Sequence, residues 1–563
     1  MLTTRQESQI IENSKAKLFP LFAFCRLDGP GWWVSAACLS AGSLVGSIGL
    51  GLSFGIAGIW IQAISMLLGV IILIAVSQIS LSTQQSLFTI LRDDWNRPFA
   101  YLIAATAILT SFTWCMPQFK LCAETAVSTV FPILDNKSGR VLVAFVLLLF
   151  ALTLSTLYSK QGPRSSLFQW IIKLIVLFVS IASFISLVTI MSNGDQESTT
   201  FSGAWFPNYS ILNEPSSLFS PLLDQTGDMK PFWENEIVSS QKEFVLLCFA
   251  STLGINLIFC FPMILLNRSW KRTHQGFAKY NLFTTAFFPF AVTSICICLL
   301  SCIAFNHEFS KGGQDIEISK PNIHDILLHR IEHEMGTEKF QNLAPFQLDE
   351  KIASLSYQEK QLASLLTGRT VNQWIHSISQ LGGNATKFLL CGMVIAICLS
   401  TVVILMIVNG HLVCEIFNKP HKGFPFQVGS LLLGVAAIAP FIWSDQNIEV
   451  SDPTYFISLS VLPFALISIL LILNNVDIMG NRRPMGISRF SHNLPILISI
   501  ILLGSCSFYL TWSQKWNSIP TGKILLCFIG IILLTGYFSL RLKKLSQKVS
   551  GLEMKLNQLS DKS

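Results

Sequence analysis

Apolar residues in this chain come in long blocks that show no polar face. A stretch of about 20 apolar residues is long enough to cross a bilayer as a helix. Twelve such stretches are legible, at about 32–54, 58–81, 98–118, 141–159, 167–191, 244–266, 281–305, 387–409, 425–443, 454–474, 493–512 and 522–540. The third can run on to about residue 131. The pattern predicts an all-α integral membrane protein. Polar sequence is confined to the two ends, to short connections and to two long loops at 192–243 and 306–386. After the last span, Leu542, Leu545, Val549, Leu552, Leu556 and Leu559 recur at spacings of three and four. Gly551 interrupts this seam, so the tail at 541–563 is expected to be an amphipathic helix rather than a coiled coil.

Two spans are irregular. The first, "GPGWWVSAACLSAGSLVGSIGLG", carries Ser40-Ala41-Gly42-Ser43 at its midpoint, where a spanning helix normally carries Leu or Val. The sixth, "GINLIFCFPMILLNRS", contains Pro262, which donates no backbone hydrogen bond, and the polar Asn256. A break in lipid is tolerated only where protein or a cavity receives the freed backbone groups. Spans one and six are corresponding positions if spans one to five and six to ten are repeats. Paired interruptions of this kind point to a secondary transporter with inverted repeats and a midplane site. The breaks are expected at Ala41 and at Phe261–Pro262. On this reading 29–191 is the first repeat, 244–474 the second, and 475–540 holds two appended spans.

Composition and charge sharpen this picture. The 563 residues are 51% hydrophobic and only 13% charged, about half the charge of a soluble domain. Lys and Arg concentrate in one set of short loops: Arg92 and Arg97; Lys160 and Arg164; Arg268, Lys271, Arg272 and Lys279; Lys419 and Lys422; Arg482, Arg483 and Arg489. By the positive-inside rule that side is cytoplasmic, with both termini, including the segment 1–28, and the two long loops lie outside. A plasma membrane location is expected. The net charge of +7 follows from this bias and implies no nucleic-acid partner. The fourteen cysteines lie in or near apolar spans and are absent from the long loops, so small apolar packing residues are expected rather than a disulfide framework.

The residues around the two breaks resemble the Nramp family of divalent-metal transporters, which has the LeuT-type fold. Gly29-Pro30-Gly31 followed by Ser35 is similar to that family's G-P-G-x-x-x-S entry to the first helix. Without gaps, the family's D-P-G-N motif falls on Ser40-Ala41-Gly42-Ser43, its M-P-H motif on Phe261-Pro262-Met263, and a later H-S pair on Arg268-Ser269. The resemblance implies a 5+5 inverted repeat with broken helices one and six. It also implies that the motif Asp, Asn and Met positions hold the metal, while the Asp and His positions are linked to proton movement. Here those positions are Ser40, Ser43, Phe261 and Met263, so the backbone-shaping residues Gly42 and Pro262 persist and the metal ligands do not. Mn²⁺ and Mg²⁺ favour carboxylate oxygens, and neither break carries one. The substrate-binding set expected from the two breaks is Ser40, Gly42, Ser43, Asn256, Cys260 and Met263. The partner is a small inorganic cation or a small organic solute, alongside membrane lipid; a non-transporting sensor that kept the fold is the rival reading.

Three further sets of residues carry chemistry. Lys120 and Glu124, four apart on the extended third span, form either an intramembrane gating or proton pair or a surface pair at the outer interface. His411 and Glu415 fall at the cytoplasmic end of span eight. In the second outer loop, His329 and His333 match an H-x-x-E-H pattern within "HDILLHRIEHE", but Ile326, Leu327 and Ile331 give the same segment an apolar stripe. External metal capture and an amphipathic surface helix both fit. No Walker loop, dinucleotide fingerprint or nucleophile elbow occurs, so no cofactor, ATP-driven step or enzymatic activity is expected.

Overall fold

The computed structural model describes residues 29–159, 163–193, 209–310, 321–366, 370–421, 423–436, 451–513, 515 and 519–560. Among these residues the regular elements are helices. The first apolar stretch is split into α1 (Gly31–Cys38) and α2 (Ala41–Phe54). The next are α3 (Ile59–Thr83), α4 (Arg97–Thr125), α5 (Lys137–Ser159) and α6 (Pro163–Asn193). The sixth stretch is split into α7 (Lys230–Ser251) and α8 (Ile255–Asn267). There follow α9 (Phe288–Ser310), α10 (Val371–Ile416), α11 (Phe424–Ala436), α12 (Ser451–Asn474), α13 (Gly486–Ser513) and α14 (Thr521–Ser560). The tail seam continues the last span within α14.

Among the described residues eight helices are long and apolar enough to cross a membrane, or nine when the bent pair Leu459–Asn474 and Val476–Arg482 is taken as one. The expected count of twelve differs for a physical reason. Spans one and two are joined through a short 3₁₀ turn at Gly55–Gly58, and their 43 residues count once. The chain reverses at that turn, where Gly55 holds a φ of 58°, and Gln62 of the second span comes back against Ser43 and Gly46 of the first. Span six is divided, and α8 and α11 are short. Residues 437–443 of the ninth stretch lie outside the described residues.

Helix α10 is the central post. It packs against α4, α11, α6, α1 and α5. Its 46 residues bend at Gly383, whose φ is 75°. Helix α2 packs between α9 and α7. In lipid, apolar side chains gain little by leaving the membrane, so close backbone approach through small residues drives such contacts. Gly46 faces Gln62 and Cys248, Gly49 faces Phe244, and a Cβ on Gly51 would sit 2.3 Å from the Cys298 carbonyl oxygen. Every cysteine among the described residues is a free thiol.

The two long loops are not separate. Phe219, Leu222, Phe232, Trp233 and Ile237 from the first share one apolar core with Ile323, Leu327, Ile331, Ile352 and Leu362 from the second. Buried Glu359 ties them, accepting from Trp233 Nε1 at 3.3 Å and from Arg330 Nε at 2.6 Å. Helix α7 begins in this core and ends at the interruption of span six, so its 22 residues connect the two over about 33 Å.

Candidate functional site

The first break is at Leu39–Ser40, one residue before the expected Ala41, which is the first residue of α2. Ser40 is extended (φ −132°, ψ 170°) and caps α2. Its Oγ accepts from the Ser43 amide at 3.4 Å, and Ser43 Oγ accepts from the Ser40 amide at 2.9 Å. The two serines that replace the family's Asp and Asn therefore close a capping box and satisfy donors that a helix start leaves free. A third donor, the Ala41 amide, goes to Gln118 Oε1 on α4 at 2.9 Å. Below the break, the end of α1 presents carbonyls. Thr401 Oγ1 of α10 lies 3.0 Å from the Ala36 oxygen and 2.8 Å from that of Leu39.

The second break is at Thr252–Gly254, which corrects the expectation of Phe261–Pro262. Pro262 lies inside α8, which continues through it. The chain opens instead at Gly254, extended at φ −72° and ψ 148°. A Cβ there would lie 2.8 Å from the Trp114 ring. Thr252 Oγ1 donates back to the Cys248 carbonyl at 2.5 Å, and Ser65 Oγ of α3 reaches the same carbonyl at 2.9 Å. Asn256 opens α8: its Oδ1 accepts from the Leu257 amide at 2.8 Å, and its Nδ2 donates to Ser111 Oγ of α4 at 3.1 Å. The sequence signal for this break is Ser251-Thr252-Leu253-Gly254, a turn-forming cluster eight or more residues ahead of the proline.

One helix thus braces both interruptions. Ser111 and Gln118 are seven residues apart on α4, two turns on one face, and each holds the start of a different broken helix, Gln118 by the Ala41 backbone amide and Ser111 by the Asn256 side chain. Ser111, Gln118 and Thr401 were not among the residues expected from the sequence. Polar residues in the middle of apolar spans were their signal. Gln62 of α3 adds a further tie between the split spans. Its Nε2 donates to the Ser43 carbonyl at 3.4 Å and approaches Cys248 Sγ at 3.7 Å.

Of the expected substrate-binding residues, Gly42 is exposed and Ser43 half-exposed, and Val45 on the same turn is exposed although α2 sits between α9 and α7. An open space therefore adjoins the start of α2. Asn256, Cys260 and Met263 are buried on one face of α8, and Phe261 is buried too. Lys120 is exposed and Glu124 half-buried near the end of α4, which runs on through a π-helical turn to Val130. That 34-residue run is about 51 Å long, beyond the apolar core of a bilayer. The pair stands in the last third of that run. His329 and His333 both pack against the Phe232 ring, with centroids 5.5 and 5.0 Å from it, and His329 Nδ1 is 3.7 Å from Glu236. Among the described residues no group of three His, Cys, Asp or Glu side chains is placed to hold a metal ion.

No protein-family model matches the sequence, and no curated protein matches it. Solved structures do. A mutant of the Eremococcus coleocola manganese transporter matches with 13% identity over 92% of this chain and 94% of that chain, at a TM-score of 0.59. The same transporter in complex with an aromatic bis-isothiourea substituted compound matches with 12% identity over 91% of this chain and 92% of that chain, at a TM-score of 0.58. At such identities the likeness establishes the fold. This multi-pass membrane chain has the architecture of that manganese transporter, the one expected from the Nramp resemblance at its two broken helices.

Proposed function

We propose that this chain is a secondary-active transporter that moves a small inorganic cation by alternating access. The Lys/Arg-rich end faces the cytoplasm, and the substrate passes beside the two helix breaks. The observation that carries the reading is the bracing of both interrupted helices by one helix, through Gln118 and Ser111. Interrupted helices are tolerated in lipid where they are buried in protein or line a cavity, and a site beside the two braced breaks is such a place. The shared fold with a manganese transporter supports the cation. Ser40, Gly42, Ser43, Asn256, Cys260 and Met263 remain the proposed substrate-facing set. The capping geometry supports backbone groups and Gly42 as the contact points near Ser40. One observation favours a second reading, a small zwitterionic or neutral organic solute: the breaks are lined by hydroxyl, amide and thiol groups, with no carboxylate.

Uptake by the purified chain in liposomes tests both. Entry of Mn²⁺ supplied well above about 1 mM, read by quenching of trapped calcein, supports the first. Entry of radiolabelled amino acids without Mn²⁺ supports the second. A folded protein that moves neither is a sensor or scaffold. Orientation is tested by an impermeant maleimide on intact cells carrying Asp228→Cys, an exposed position in the outer unit. Protection of that cysteine would reverse the orientation.

A further inference from the structure

At the Lys/Arg-rich end, a chain of polar side chains stands apart from both breaks. Tyr158 ends α5, His411 and Glu415 are one turn apart near the end of α10, and His421 follows α10. Tyr158 Oη lies 2.8 Å from His411 Nε2, His411 Nδ1 lies 3.3 Å from His421 Nδ1, and His421 Nε2 lies 3.0 Å from Glu415 Oε2. Glu415 Oε1 accepts from Ser86 and, at 3.0 Å, from Thr89, both in the segment after α3. His411 is fully buried, while the His421 side chain is 23% exposed and gives the chain its access to water. Trp33 of α1 stands edge-on to Tyr158 at 4.8 Å, and Phe426 of α11 lies 5.1 Å from His411.

Hydrogen accounting limits what this chain can hold. A neutral imidazole has one donor and one acceptor. In the neutral state a single assignment serves each contact. Tyr158 donates to His411 Nε2, His411 Nδ1–H to His421 Nδ1, and His421 Nε2–H to the Glu415 carboxylate. One added proton also fits. His421 then carries hydrogen on both nitrogens and donates Nδ1–H to His411 Nδ1. The His411 hydrogen sits on Nε2 and is donated to the Tyr158 oxygen, whose own hydrogen turns to the neighbouring Asn267 side chain. Two added protons do not fit, because both rings would point an Nδ1–H across the same 3.3 Å. The other charged or ionisable groups facing the chain are Arg92, acting on Glu415, Arg268, acting on Tyr158, and the thiols of Cys260 and Cys414. Arg92 favours the Glu415 carboxylate, and the positive charge of both arginines opposes a second proton.

We propose that Tyr158, His411, His421 and Glu415 form a latch at the cytoplasmic end that is locked by a single proton. With the proton bound, the bond between the rings and the bond to Glu415 are both charge-assisted, about twice as strong as neutral ones. They then hold α5, α10 and the Ser86–Thr89 segment together, with Trp33 of the first half-helix resting on Tyr158. When the proton leaves, the links weaken. That this closes the cytoplasmic side to substrate rests on the transporter reading; the proton-dependent locking itself does not.

Hydrogen exchange read by mass spectrometry, on the purified chain in nanodiscs, tests the locking without transport. Exchange is followed between about pH 5.5 and 8, which brackets the histidine range, and corrected for the chemical rate. Peptides covering residues 84–95 and 411–417 should be about tenfold more protected at the acid end. Glu415→Gln, and independently His421→Asn at its partly exposed position, should remove that pH dependence. Peptides around Trp233 in the outer core serve as reference and should not change. Flat protection in the parent chain, an equal change in the outer core, or persistence of the effect in either folded variant would each overturn the latch. If liposome uptake fails while the exchange result holds, the transporter reading falls and the latch stands.

Discussion

Thr401 Oγ1 stands within 3.0 Å of three carbonyl oxygens, those of Ala36 and Leu39 at the end of α1 and that of Ile397 in its own helix. It has one hydrogen to give. The hydroxyl is placed to donate to the Ala36 or Leu39 oxygen at the end of α1 and so fastens the first half-helix to the central post of the fold. Thr401→Val keeps the shape and removes the donor. A buried acceptor left unpaired costs about 1–3 kcal/mol, so the variant should melt several degrees lower in detergent, while Thr401→Ser should melt close to the parent. Equal melting of parent and Val variant would show that the cap contributes nothing.

Gln118 is the corresponding test for α2. Gln118→Leu leaves the Ala41 amide without its acceptor and should reduce liposome uptake with only a modest loss of stability. Gln118→Glu restores an acceptor and places negative charge at a helix N-terminus, where it is favoured by about 0.3–1 kcal/mol. It should fold at least as well as the parent. Unfolding of the Glu variant under conditions where the Leu variant is stable would contradict the assigned hydrogen bond.

Two glycines in α2 separate packing from passage. A Cβ at Gly51 meets the Cys298 backbone at 2.3 Å, whereas one at Gly42 meets only Ser40 Oγ at 3.6 Å. Gly51→Ala forces a backbone shift costing about 1–3 kcal/mol and should lower yield and melting temperature. Gly42→Ala should fold like the parent. A larger side chain beside it, as in Ser43→Trp, should fill the open space and abolish uptake in a protein that elutes normally on size exclusion. Uptake at the parent rate would place the route elsewhere.

Selectivity follows from charge. With Ser40 at the motif Asp position, a dehydrated divalent ion has no fixed anion beside it, and an uncompensated buried charge costs several kcal/mol. Titration calorimetry should give Mn²⁺ a dissociation constant above about 1 mM, or less than about 4 kcal/mol of binding. Asp is as good a helix cap as Ser, so Ser40→Asp with Ser43→Asn should keep the fold and tighten binding. Micromolar affinity in the parent, lost in Ser40→Ala, would show that neutral groups suffice.

The unit built from the two long loops offers a stability test that leaves the membrane helices alone. Glu359 is buried and holds both Arg330 and Trp233. Glu359→Ala leaves that side of a buried guanidinium unpaired, at a cost of about 3 kcal/mol. Protease should then cut within 321–366 at concentrations that spare the parent.

The sequence by itself determined where helices form, because a 20-residue apolar block in lipid has no alternative that satisfies its backbone. It also determined that the first span breaks, since Ser40-Ala41-Gly42-Ser43 supplies both a cap and the residue that reciprocates it. It did not determine where the sixth span breaks. Pro262 is the loudest local signal, yet a helix interior can carry a proline when neighbouring groups re-satisfy the freed backbone carbonyl by donating to it. The break falls at Gly254, where the Trp114 ring leaves no room for a Cβ. That fact belongs to another helix. The same holds for Gln118, Ser111 and Thr401, which read in sequence as isolated polar residues within apolar spans and become braces only when α4 and α10 are laid against the broken helices. Likewise His411 and His421 are ten residues apart, and their sharing of a hydrogen with Tyr158, more than 250 positions away in the chain, is decided by how α5 meets α10. Local sequence sets periodicity and capping, which act over a few residues. Which polar group meets which orphaned carbonyl or amide is set by packing between distant segments.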